Sequence, residues 1–451
     1  MKPFSWVVSL RKNFCGHSVH IYFLMTNRYI PIWQHRRCRQ REYPTNENDR
    51  IIIIEPMKKN KEKKIPDQAK SQQTSRSREQ TKRLASEQEE LLSRIAQPLL
   101  KWYDSNRRVL PWREDPTPYH VWVSEIMLQQ TRVEAVKEYY YRFLRALPTN
   151  KDLAEAGEDL LLKLWEGLGY YNRVRNMQKC AQVIEQQYSG IMPGKFEDLL
   201  TLPGIGNYTA GAISSIAFGQ VNPAVDGNVL RVVTRILMDD TDIMNIGFRS
   251  KVEHSLRLVM SGEHPGDYNQ AMMDIGATVC VPNGAPHCEE CPLNQFCRAY
   301  AENAQMQYPV KKAKKERRIE DKTVLLLLDA GRIALHKRPA KGLLAGMYEF
   351  PMLEGKHTDE EVLQYLREQG LQTIQILPLG EAKHIFSHIE WHMTGYWVRV
   401  DELTPFRSET QNELADGTVF VEIEKASREY AIPSAFAAYS SQFNLKRGEQ
   451  Q

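Results

Sequence analysis

Apolar and polar residues follow one spacing in the middle of the chain and another near its end. From residue 84, apolar side chains recur three or four positions apart, as at Leu91, Leu92, Ile95 and Leu99, which is the spacing of amphipathic helices. Glycine or proline separates most of these segments. The pattern predicts helices at residues 121–130, 133–147, 152–164, 174–187, 196–201, 208–218, 229–238, 251–260 and 268–279.

After residue 320 apolar and polar positions alternate instead, which is typical of β-strands. Between the two regions, residues 301–320 include the basic run KKAKKERR, and we expect them to form a solvated linker. The sequence therefore predicts an all-α domain at 84–300 and a separate α+β domain at 321–446. In the second domain the pattern predicts strands at residues 323–328, 332–337, 348–351, 381–386, 393–400 and 417–421, and helices at residues 359–368 and 433–443.

Residues 1–83 lack both patterns. Residues 1–41 contain no Asp or Glu, and residues 58–82 are mostly Lys, Gln, Ser and Arg. Because such a composition cannot bury a core, we expect a basic, largely disordered extension without a catalytic role. An acid-poor start is also typical of a transit peptide, but we favour upstream sequence read in frame, with Met57 as the true start.

Composition narrows the class of protein. The chain has 451 residues, enough for two or three domains, and its 60 basic against 56 acidic residues give a net charge of only +4. No apolar run approaches the roughly 20 residues that a membrane helix needs. Cys15, Cys38 and Cys180 each stand alone, so the sequence does not indicate a secreted disulfide framework. We expect a soluble, intracellular protein without a membrane partner.

The other four of the seven cysteines, Cys280, Cys288, Cys291 and Cys297, lie in one short segment. Zinc ribbons usually have two Cys-x-x-Cys pairs separated by a long spacer, whereas here a single pair lies between two single cysteines. This compact arrangement suits a [4Fe-4S] cluster. Two disulfides and a structural zinc ion remain the alternatives.

The segment LPGIGNYTA, residues 202–210, lies between two predicted helices. Its Gly204 and Gly206 allow a tight turn with exposed backbone amides, and those amides with the following helix N-terminus can bind a phosphate group. An ordinary glycine-rich helix connection is the alternative.

Two carboxylates stand in unlike surroundings. Glu125 lies in the apolar helical stretch VWVSEIML, where partial desolvation would raise its pKa, and Asp226 stands directly before a predicted helix. Cleavage of a glycosidic bond uses two such acids, one to protonate the leaving group and one to face the developing cation. The alternatives are a solvent-facing glutamate and an aspartate that only caps its helix.

Together the hairpin segment, the sequence VDGN at 225–228 and the cysteine segment resemble the helix–hairpin–helix DNA glycosylases of the endonuclease III superfamily. The sequences PWR (111–113), SEIMLQQTR (124–132), EGLGYYNRVR (166–175) and DYNQAMMDIG (267–276) resemble MutY-type adenine glycosylases. HIFSHI, at 384–389, is similar to the loop by which that family recognises 8-oxoguanine.

This resemblance implies a six-helix barrel at about residues 111–205, a cluster domain in the remainder of 84–300, and a MutT-like C-terminal domain. The cluster would have a structural, DNA-facing role, although seven residues separate Cys280 from Cys288 where the family usually has six. Since residues 325–386 lack the metal-binding box of MutT-like hydrolases, the C-terminal domain would bind a base and hydrolyse nothing.

The resemblance also implies the reaction. Glu125 would protonate the flipped adenine, Asp226 would stabilise the sugar cation, and Tyr208 would assist. Bifunctional relatives have a lysine at the position of Tyr208, which forms a Schiff base with the sugar, so a phenol implies a glycosylase that does not cut the strand.

Several further residues match DNA-binding positions of the family. Gln130 and Tyr170 would wedge into the duplex, and Trp112 and Arg113 would lie near the extruded nucleotide, although the aromatic residues are also candidates for core packing. The remaining predicted DNA or lesion contacts are Thr131, Gly204, Gly206, Gln270, Phe386, Ser387 and His388.

The sequence therefore predicts a monomeric base-excision-repair enzyme that removes adenine opposite 8-oxoguanine or guanine in double-stranded DNA. The expected location is the cytoplasm or nucleoid of a bacterium. One alternative is a bifunctional pyrimidine-lesion glycosylase/lyase, against which Tyr208 argues. Another is a non-catalytic DNA-binding scaffold, against which the retention of Glu125 and Asp226 argues.

Overall fold

The computed structural model describes residues 86–312, 316–401 and 417–442 with their side chains, and only the backbone of 6–9, 39–43, 51–55, 67–85 and 443. The chain divides into two compact units, Met1–Leu84 and Ala85–Gln451. In the first unit β1 (Trp6–Ser9), β2 (Arg39–Tyr43) and β3 (Ile51–Glu55) form an antiparallel sheet in the order β1-β3-β2.

The prediction of a largely disordered extension falls mostly on residues outside the described part of the chain. One difference is visible at its end, since the first helix begins at Asp67, inside the stretch whose composition predicts disorder. That stretch is rich in Lys and Gln and also contains Arg, residues that have good intrinsic helix propensity.

The second unit begins with helices, as the apolar spacing predicts. The predicted helix at 152–164 is two helices, because Ala156 is extended and Gly157 starts a new helix as its N-cap. No helix in the described residues is long and apolar enough to cross a membrane. The helices are α1 (Asp67–Asn106), α2 (Pro111–Glu114), α3 (Pro118–Leu128), α4 (Val133–Ala146), α5 (Asn150–Glu155), α6 (Glu158–Leu164), α7 (Asn172–Tyr188), α8 (Phe196–Leu200), α9 (Asn207–Ile216), α10 (Gly227–Leu237), α11 (Ile246–Val259), α12 (Pro265–Thr278) and α13 (Arg298–Ala301).

These helices pack around two cores. Trp122, Phe143 and Trp165 belong to the first core, which α2 to α9 build. The second core includes Leu92 of α1 and Tyr268 of α12, together with apolar residues of α10 and α11. Because α9 packs against both α3 and α12, the two groups of helices meet at α9, and the candidate site lies at that junction.

The C-terminal domain is built on a mixed sheet of order β10-β5-β4-β9-β8, in which β4 and β9 are parallel. β6 pairs with β5, and β7 pairs with β4. An apolar core covers each face of the sheet. Its elements are β4 (Arg318–Asp329), β5 (Arg332–Lys337), β6 (Tyr348–Glu349), β7 (Met352–Glu354), α14 (Asp359–Glu368), β8 (Thr373–Ile385), β9 (Ile389–Val400), β10 (Thr418–Glu422), α15 (Ile423–Glu429) and α16 (Ala437–Ser440).

Several elements of this domain differ from their predictions. Strand β4 begins at Arg318 instead of residue 323, β6 ends at Glu349 instead of residue 351, and β9 begins at Ile389 instead of residue 393. Strand β8 starts at Thr373 rather than at residue 381, because most of its side chains are exposed or half-buried and the alternation is weak. The short helix α15 is not predicted. The predicted helix at 433–443 is mostly 3-10 turns, with only α16 in α-helical form.

The predicted linker at 301–320 is shorter than its composition indicates. Its first part is fastened to the helical domain, since Nε of Arg235 donates to the carbonyl oxygens of Gln305 and Tyr308, at 3.0 and 3.1 Å. Its last part belongs to β4, which begins at Arg318. Residues 311–317 connect the two domains, and 313–315 of them lie outside the described residues.

Candidate active site

Glu125 is buried in the middle of α3, a helix that begins with Pro118 and is capped by the Thr117 hydroxyl. Every residue from Val121 to Met127 is buried, and Glu125 itself is 5% exposed. Protein therefore packs against every side of this part of α3 and shields the Glu125 carboxyl group from water. The expectation of a desolvated carboxyl group is confirmed by this burial.

The Glu125 side chain has one close polar partner. The Tyr208 hydroxyl, from the first turn of α9, donates to Oε2 of Glu125 at 2.5 Å. Burial raises the pKa of Glu125 to about 7, and the Tyr208 hydrogen bond only partly opposes that increase. Burial also raises the pKa of Tyr208 well above its usual value. The carboxyl group can therefore hold a proton near neutral pH while the phenol stays neutral.

Asp226 is the N-cap of α10, and its Oδ1 accepts from the backbone N–H of Val229 at 2.8 Å. Its Oδ2 accepts from the Asn228 side-chain amide at 2.7 Å. Burial raises the pKa of Asp226, while these hydrogen bonds favour the charged form and oppose the increase. Asp226 can therefore cap α10 and also face a cationic group, because the N-terminus of α10 stabilises the negative charge of the Asp226 carboxylate that both roles need.

Glu125, Tyr208 and Asp226 line one cavity of about 160 Å³. Trp112 lines the cavity as well. It is only 5% exposed and packs edge-on against Tyr140, so the same side chain belongs to the core and to the cavity wall. The cavity is lined by Arg108, Leu110, Trp112, Arg113, Val121, Ser124, Glu125, Leu128, Thr131, Val133, Tyr208, Ile216, Asp226, Asn228, Gln270, Met273 and Ala277.

A fully buried carboxylate behind this cavity is not singled out by the sequence. Asp274 on α12 accepts two hydrogen bonds from Arg113, at 2.7 and 2.9 Å, and one from Nε of Arg108 at 2.8 Å. Burial alone would raise the pKa of Asp274, but the two guanidinium groups hold it below its usual value. The ion pairs fix Arg113 at the cavity wall. In the sequence, the one indication of this burial is an acid inside the otherwise apolar stretch AMMDIG, residues 271–276.

The hairpin between α8 and α9 has the tight turn that its glycines indicate. Gly204 has a φ of +78°, and a Cβ atom there would lie 2.7 Å from Cβ of Asn176, so both the backbone conformation and the space require glycine. Gly206 is the N-cap of α9, with extended backbone and open space around it. Both glycines are exposed, which leaves the backbone free to approach a ligand.

The predicted wedge residues Gln130 and Tyr170 lie outside the cavity, each at the end of a loop with left-handed backbone. Their φ angles are 61° and 48°, and both side chains are exposed. A third residue connects these loops. Nη1 of Arg173 donates to the carbonyl oxygens of Ile126, Met127 and Gln129, and its Nη2 donates to those of Leu168 and Gly169.

Arg173 therefore fixes the distance between the two loops that end at Gln130 and Tyr170. Its side chain is partly buried, and burial lowers its pKa to about 10, which still leaves it charged at neutral pH. The sequence gives no sign of this role, because Arg173 is one of two similar arginines in the motif EGLGYYNRVR.

In the C-terminal domain the predicted lesion-contacting residues form the turn between β8 and β9. The Phe386 ring packs edge-on against His384 and Trp391, with centroid distances of 4.6 and 4.9 Å, and these contacts hold the turn against β8 and β9. Ser387 and His388 are exposed. The Ser387 hydroxyl lies 3.2 Å from the Tyr170 hydroxyl, so the structure brings this turn, the predicted lesion loop, together with one of the two predicted wedge residues.

The four clustered cysteines are free thiols beside α10. Nη1 of Arg235 donates to the sulfur of Cys280 at 3.1 Å. Burial, with a smaller contribution from the other three thiols, raises the pKa of Cys291 to about 12. Within the described residues there is no group of three or more Cys, His, Asp or Glu side chains that could hold a metal ion. The thiols are neighbours without forming a closed ligand set.

Two protein-family models match the chain. The model for the HhH-GPD superfamily of base excision DNA repair proteins matches residues 123–256, which contain Glu125, Tyr208 and Asp226. The NUDIX domain model matches residues 323–442. The predicted order of a glycosylase-like helical domain followed by a MutT-like domain is thus confirmed.

The chain is similar to several proteins called adenine DNA glycosylase. The rat protein is 35% identical over 403 residues, which cover 76% of this chain and 77% of the relative. The human protein is 34% identical over 399 residues, covering 74% and 73%. A protein of Buchnera aphidicola subsp. Baizongia pistaciae is 34% identical over 312 residues, covering 69% and 87%. The chain therefore belongs to the adenine DNA glycosylase family, hydrolases of N-glycosyl bonds that act in base excision repair.

Proposed function

We propose that this chain removes adenine opposite 8-oxoguanine or guanine in double-stranded DNA, by hydrolysis of the N-glycosidic bond and without cutting the strand. The observation that carries the proposal is the hydrogen bond between Tyr208 and a buried Glu125 in a cavity that Asp226 also lines. The proton donor Glu125 and the carboxylate of Asp226, which would face the sugar cation, thus lie in the same cavity, as cleavage through such a cation requires.

In this mechanism the protonated Glu125 donates its proton to the flipped adenine, which weakens the bond to the sugar. The proton is available because burial holds the pKa of Glu125 at about 7. As the bond breaks, positive charge develops on the sugar, and the Asp226 carboxylate stabilises it. Water then completes the hydrolysis at the sugar carbon. Arg113, fixed by Asp274, and the Trp112 ring confine the base during these steps.

Strand cleavage by a Schiff base needs an amine in the cavity, and no lysine is among its lining residues. At the hairpin position where bifunctional relatives have a lysine, this chain has Tyr208. We therefore propose a monofunctional enzyme. Tyr208 keeps the Glu125 carboxyl oriented and cannot form an imine.

Binding of DNA is assigned to groups around the cavity. The exposed backbone at Gly204 and Gly206, with the N-terminus of α9, offers amides to a phosphate group. Gln130 and Tyr170 would enter the duplex beside the extruded base. Thr131 and Gln270 line the cavity and would contact the flipped nucleotide. Ser387 and His388, supported by Phe386, would contact 8-oxoguanine.

We further propose that Cys280, Cys288, Cys291 and Cys297 hold a [4Fe-4S] cluster. The four neighbouring thiols supply the donor atoms that such a cluster uses, and the Arg235 guanidinium lies beside the Cys280 sulfur, where a cation favours the thiolate form that binds iron. When bound, the cluster would cross-link the segment from Cys280 to Cys297, which contacts α10 through Arg235. Anaerobically purified protein should contain about four irons per chain. Cys288→Ser should lose them, and stoichiometric zinc instead of iron would contradict the assignment.

The reaction is tested with duplexes that carry adenine opposite 8-oxoguanine, adenine opposite guanine, or a thymine glycol. We expect release of adenine from the first two, and strand breaks only after treatment with alkali. Borohydride should trap little covalent adduct with the unaltered protein, whereas Tyr208→Lys should increase trapping. Efficient trapping without the substitution would favour the bifunctional alternative, and binding without base release would favour the non-catalytic one.

The expected location and oligomeric state stay predictions. The matched relatives come from mammals and from a bacterium, so they do not bear on the prediction of a bacterial source. A monomer is still expected in solution, since the proposed site is built from one chain.

A further inference from the structure

The C-terminal domain is seated on α6 and on the loop between α6 and α7, which we call the docking interface. Its centre is apolar: Met347 and Ala431 of the C-terminal domain are 0% and 3% exposed and belong to the core of the helical domain. Leu344 packs against this core and also against the core of its own domain. The contact therefore excludes water as a domain interior does.

Beside this centre, three side chains of the helical domain bind the backbone of the C-terminal domain: Arg175 donates to the Ala345 carbonyl oxygen, and Glu166 and Lys163 contact segment 430–432. Oε1 of Glu166 accepts from the backbone N–H of Ile432 at 2.8 Å. Nζ of Lys163 donates to the carbonyl oxygen of Tyr430 at 3.1 Å. Lys163 also donates to the second oxygen of Glu166, at 2.7 Å. One ion pair thus satisfies both a donor and an acceptor of segment 430–432.

This pair, which we call the clamp, lies within the helical domain and is more enclosed than the ion pair that Lys337 forms with Asp159 across the interface. The side chains of Lys163 and Glu166 are 21% and 17% exposed, whereas Lys337 and Asp159 are 45% and 59% exposed. An exposed pair contributes little, because water and salt screen it and ordering both side chains costs entropy. The clamp is the better candidate for fixing the position of the domain.

The clamp is directly connected to a proposed wedge residue. Glu166 is four positions before Tyr170, and the loop between them is held by the Trp165 indole, which donates to the Gly169 carbonyl oxygen at 3.1 Å. At the end of this loop the Tyr170 hydroxyl lies 3.2 Å from that of Ser387. The same short segment therefore contacts the C-terminal domain at both of its ends.

We propose that Glu166, with Lys163, is a positioning residue for recognition of the base opposite adenine. The clamp fixes the C-terminal domain so that Ser387 lies at Tyr170, and the wedge and the lesion loop meet the duplex as one unit. This inference rests on the proposed function, because it assigns discrimination of 8-oxoguanine to the loop that contains Ser387. Glu166 itself is not among the residues that line the catalytic cavity.

The test uses the full-length protein and single-turnover excision of adenine opposite 8-oxoguanine and opposite guanine. Glu166→Ala removes the acceptor for the Ile432 N–H, and we expect the preference for 8-oxoguanine to fall about five-fold, the effect of one hydrogen bond. Excision opposite guanine should stay within about two-fold. Glu166→Gln keeps an acceptor oxygen and should retain more of the preference than Glu166→Ala. Asp159→Ala, at the exposed ion pair, is the matched control and should change neither rate.

A double-mutant cycle separates positioning from general destabilisation. If Glu166 acts through the loop, Glu166→Ala should cause little further loss of preference in a Ser387→Ala background. Full additivity, or an equal loss on both substrates, would overturn the proposal in favour of a structural role. A preference that survives Glu166→Ala would overturn it as well. Equal rates on both substrates with the unaltered protein would instead refute the proposed specificity, so the two failures can be distinguished.

Discussion

The cavity around Glu125 and the turn around Ser387 are assigned to the two bases of one mispair, yet the protein builds them differently. The cavity takes most of its side chains from α2, α3, α9, α10 and α12, and its acid is 5% exposed. The turn takes its side chains from three consecutive residues, of which Ser387 and His388 are exposed. One site is enclosed by tertiary structure, and the other projects from a strand end.

This difference sets what each region can do. Exclusion of water in the cavity shifts the pKa of Glu125 to about 7, which makes a carboxyl group an acid at neutral pH. No comparable desolvation acts on the exposed turn, so it contributes through the position of a hydroxyl and an imidazole. Changes in the cavity should therefore alter the rate by orders of magnitude, and changes in the turn should alter specificity by small factors.

The largest effect is expected for Glu125→Gln. The amide fills the same space but cannot donate the proton to adenine, so single-turnover excision should fall by roughly 10²- to 10⁴-fold, the usual contribution of a general acid. DNA affinity in gel-shift measurements should stay nearly unchanged. Glu134→Gln, at an exposed acid on α4, is the matched control. Near-normal excision by Glu125→Gln would show that the cavity does not supply the acid.

Arg173→Met tests the structural connection between the two regions. The substitution removes the guanidinium donor from five carbonyl oxygens on the loops that end at Gln130 and Tyr170, of which that of Gly169 keeps the Trp165 indole as a second donor. Since a buried unsatisfied polar group costs about 1–3 kcal/mol, the free energy of unfolding in denaturant titrations should fall by about 3 kcal/mol or more. Arg145→Met, at an exposed position of α4, should change it little. A change below about 1 kcal/mol would show that Arg173 does not brace these loops.

The pH dependence follows from the raised pKa of Glu125. Its protonated fraction falls about tenfold per pH unit above about 7, so the excision rate should decrease as pH rises through that value. The raised pKa of Glu125 also affects the free energy of unfolding. The stabilisation that comes from protonated Glu125 is fully present below its ordinary pKa of 4.5 and is lost as pH rises through about 7. A rate measured from about pH 5.5 to 8.5 that stays flat would contradict the acid assignment.

The smallest effect is expected in the turn. Replacing Ser387 and His388 by alanine should weaken recognition of adenine opposite 8-oxoguanine by about 1 kcal/mol for each lost hydrogen bond, measured as the ratio of excision rates opposite 8-oxoguanine and guanine. Ser427→Ala, at a half-buried serine of α15 whose hydroxyl donates to the Glu424 carbonyl oxygen, serves as the control. An unchanged ratio in the double variant would remove the turn from the lesion-binding surface.

The two regions also differ in how well their structure could be predicted. In the helical domain, the local sequence pattern was enough to predict individual features. The apolar neighbours of Glu125 predict its burial, and the glycines at 204 and 206 predict the turn before α9. For the C-terminal domain, alternation predicts β5 and α14 with the observed bounds, but it misses the start of β8, where few side chains are buried.

The sequence by itself determined the features that depend on neighbours in the chain, namely the helical and strand regions, the burial of Glu125, the turn at Gly204, and Tyr208 in place of a lysine. Only the tertiary structure decided which distant groups meet. The Arg113–Asp274 and Glu166–Ile432 hydrogen bonds join residues 161 and 266 positions apart. Periodicity reports which face of an element is buried, but the partner on that face is chosen by packing and by satisfaction of buried polar groups across the whole chain.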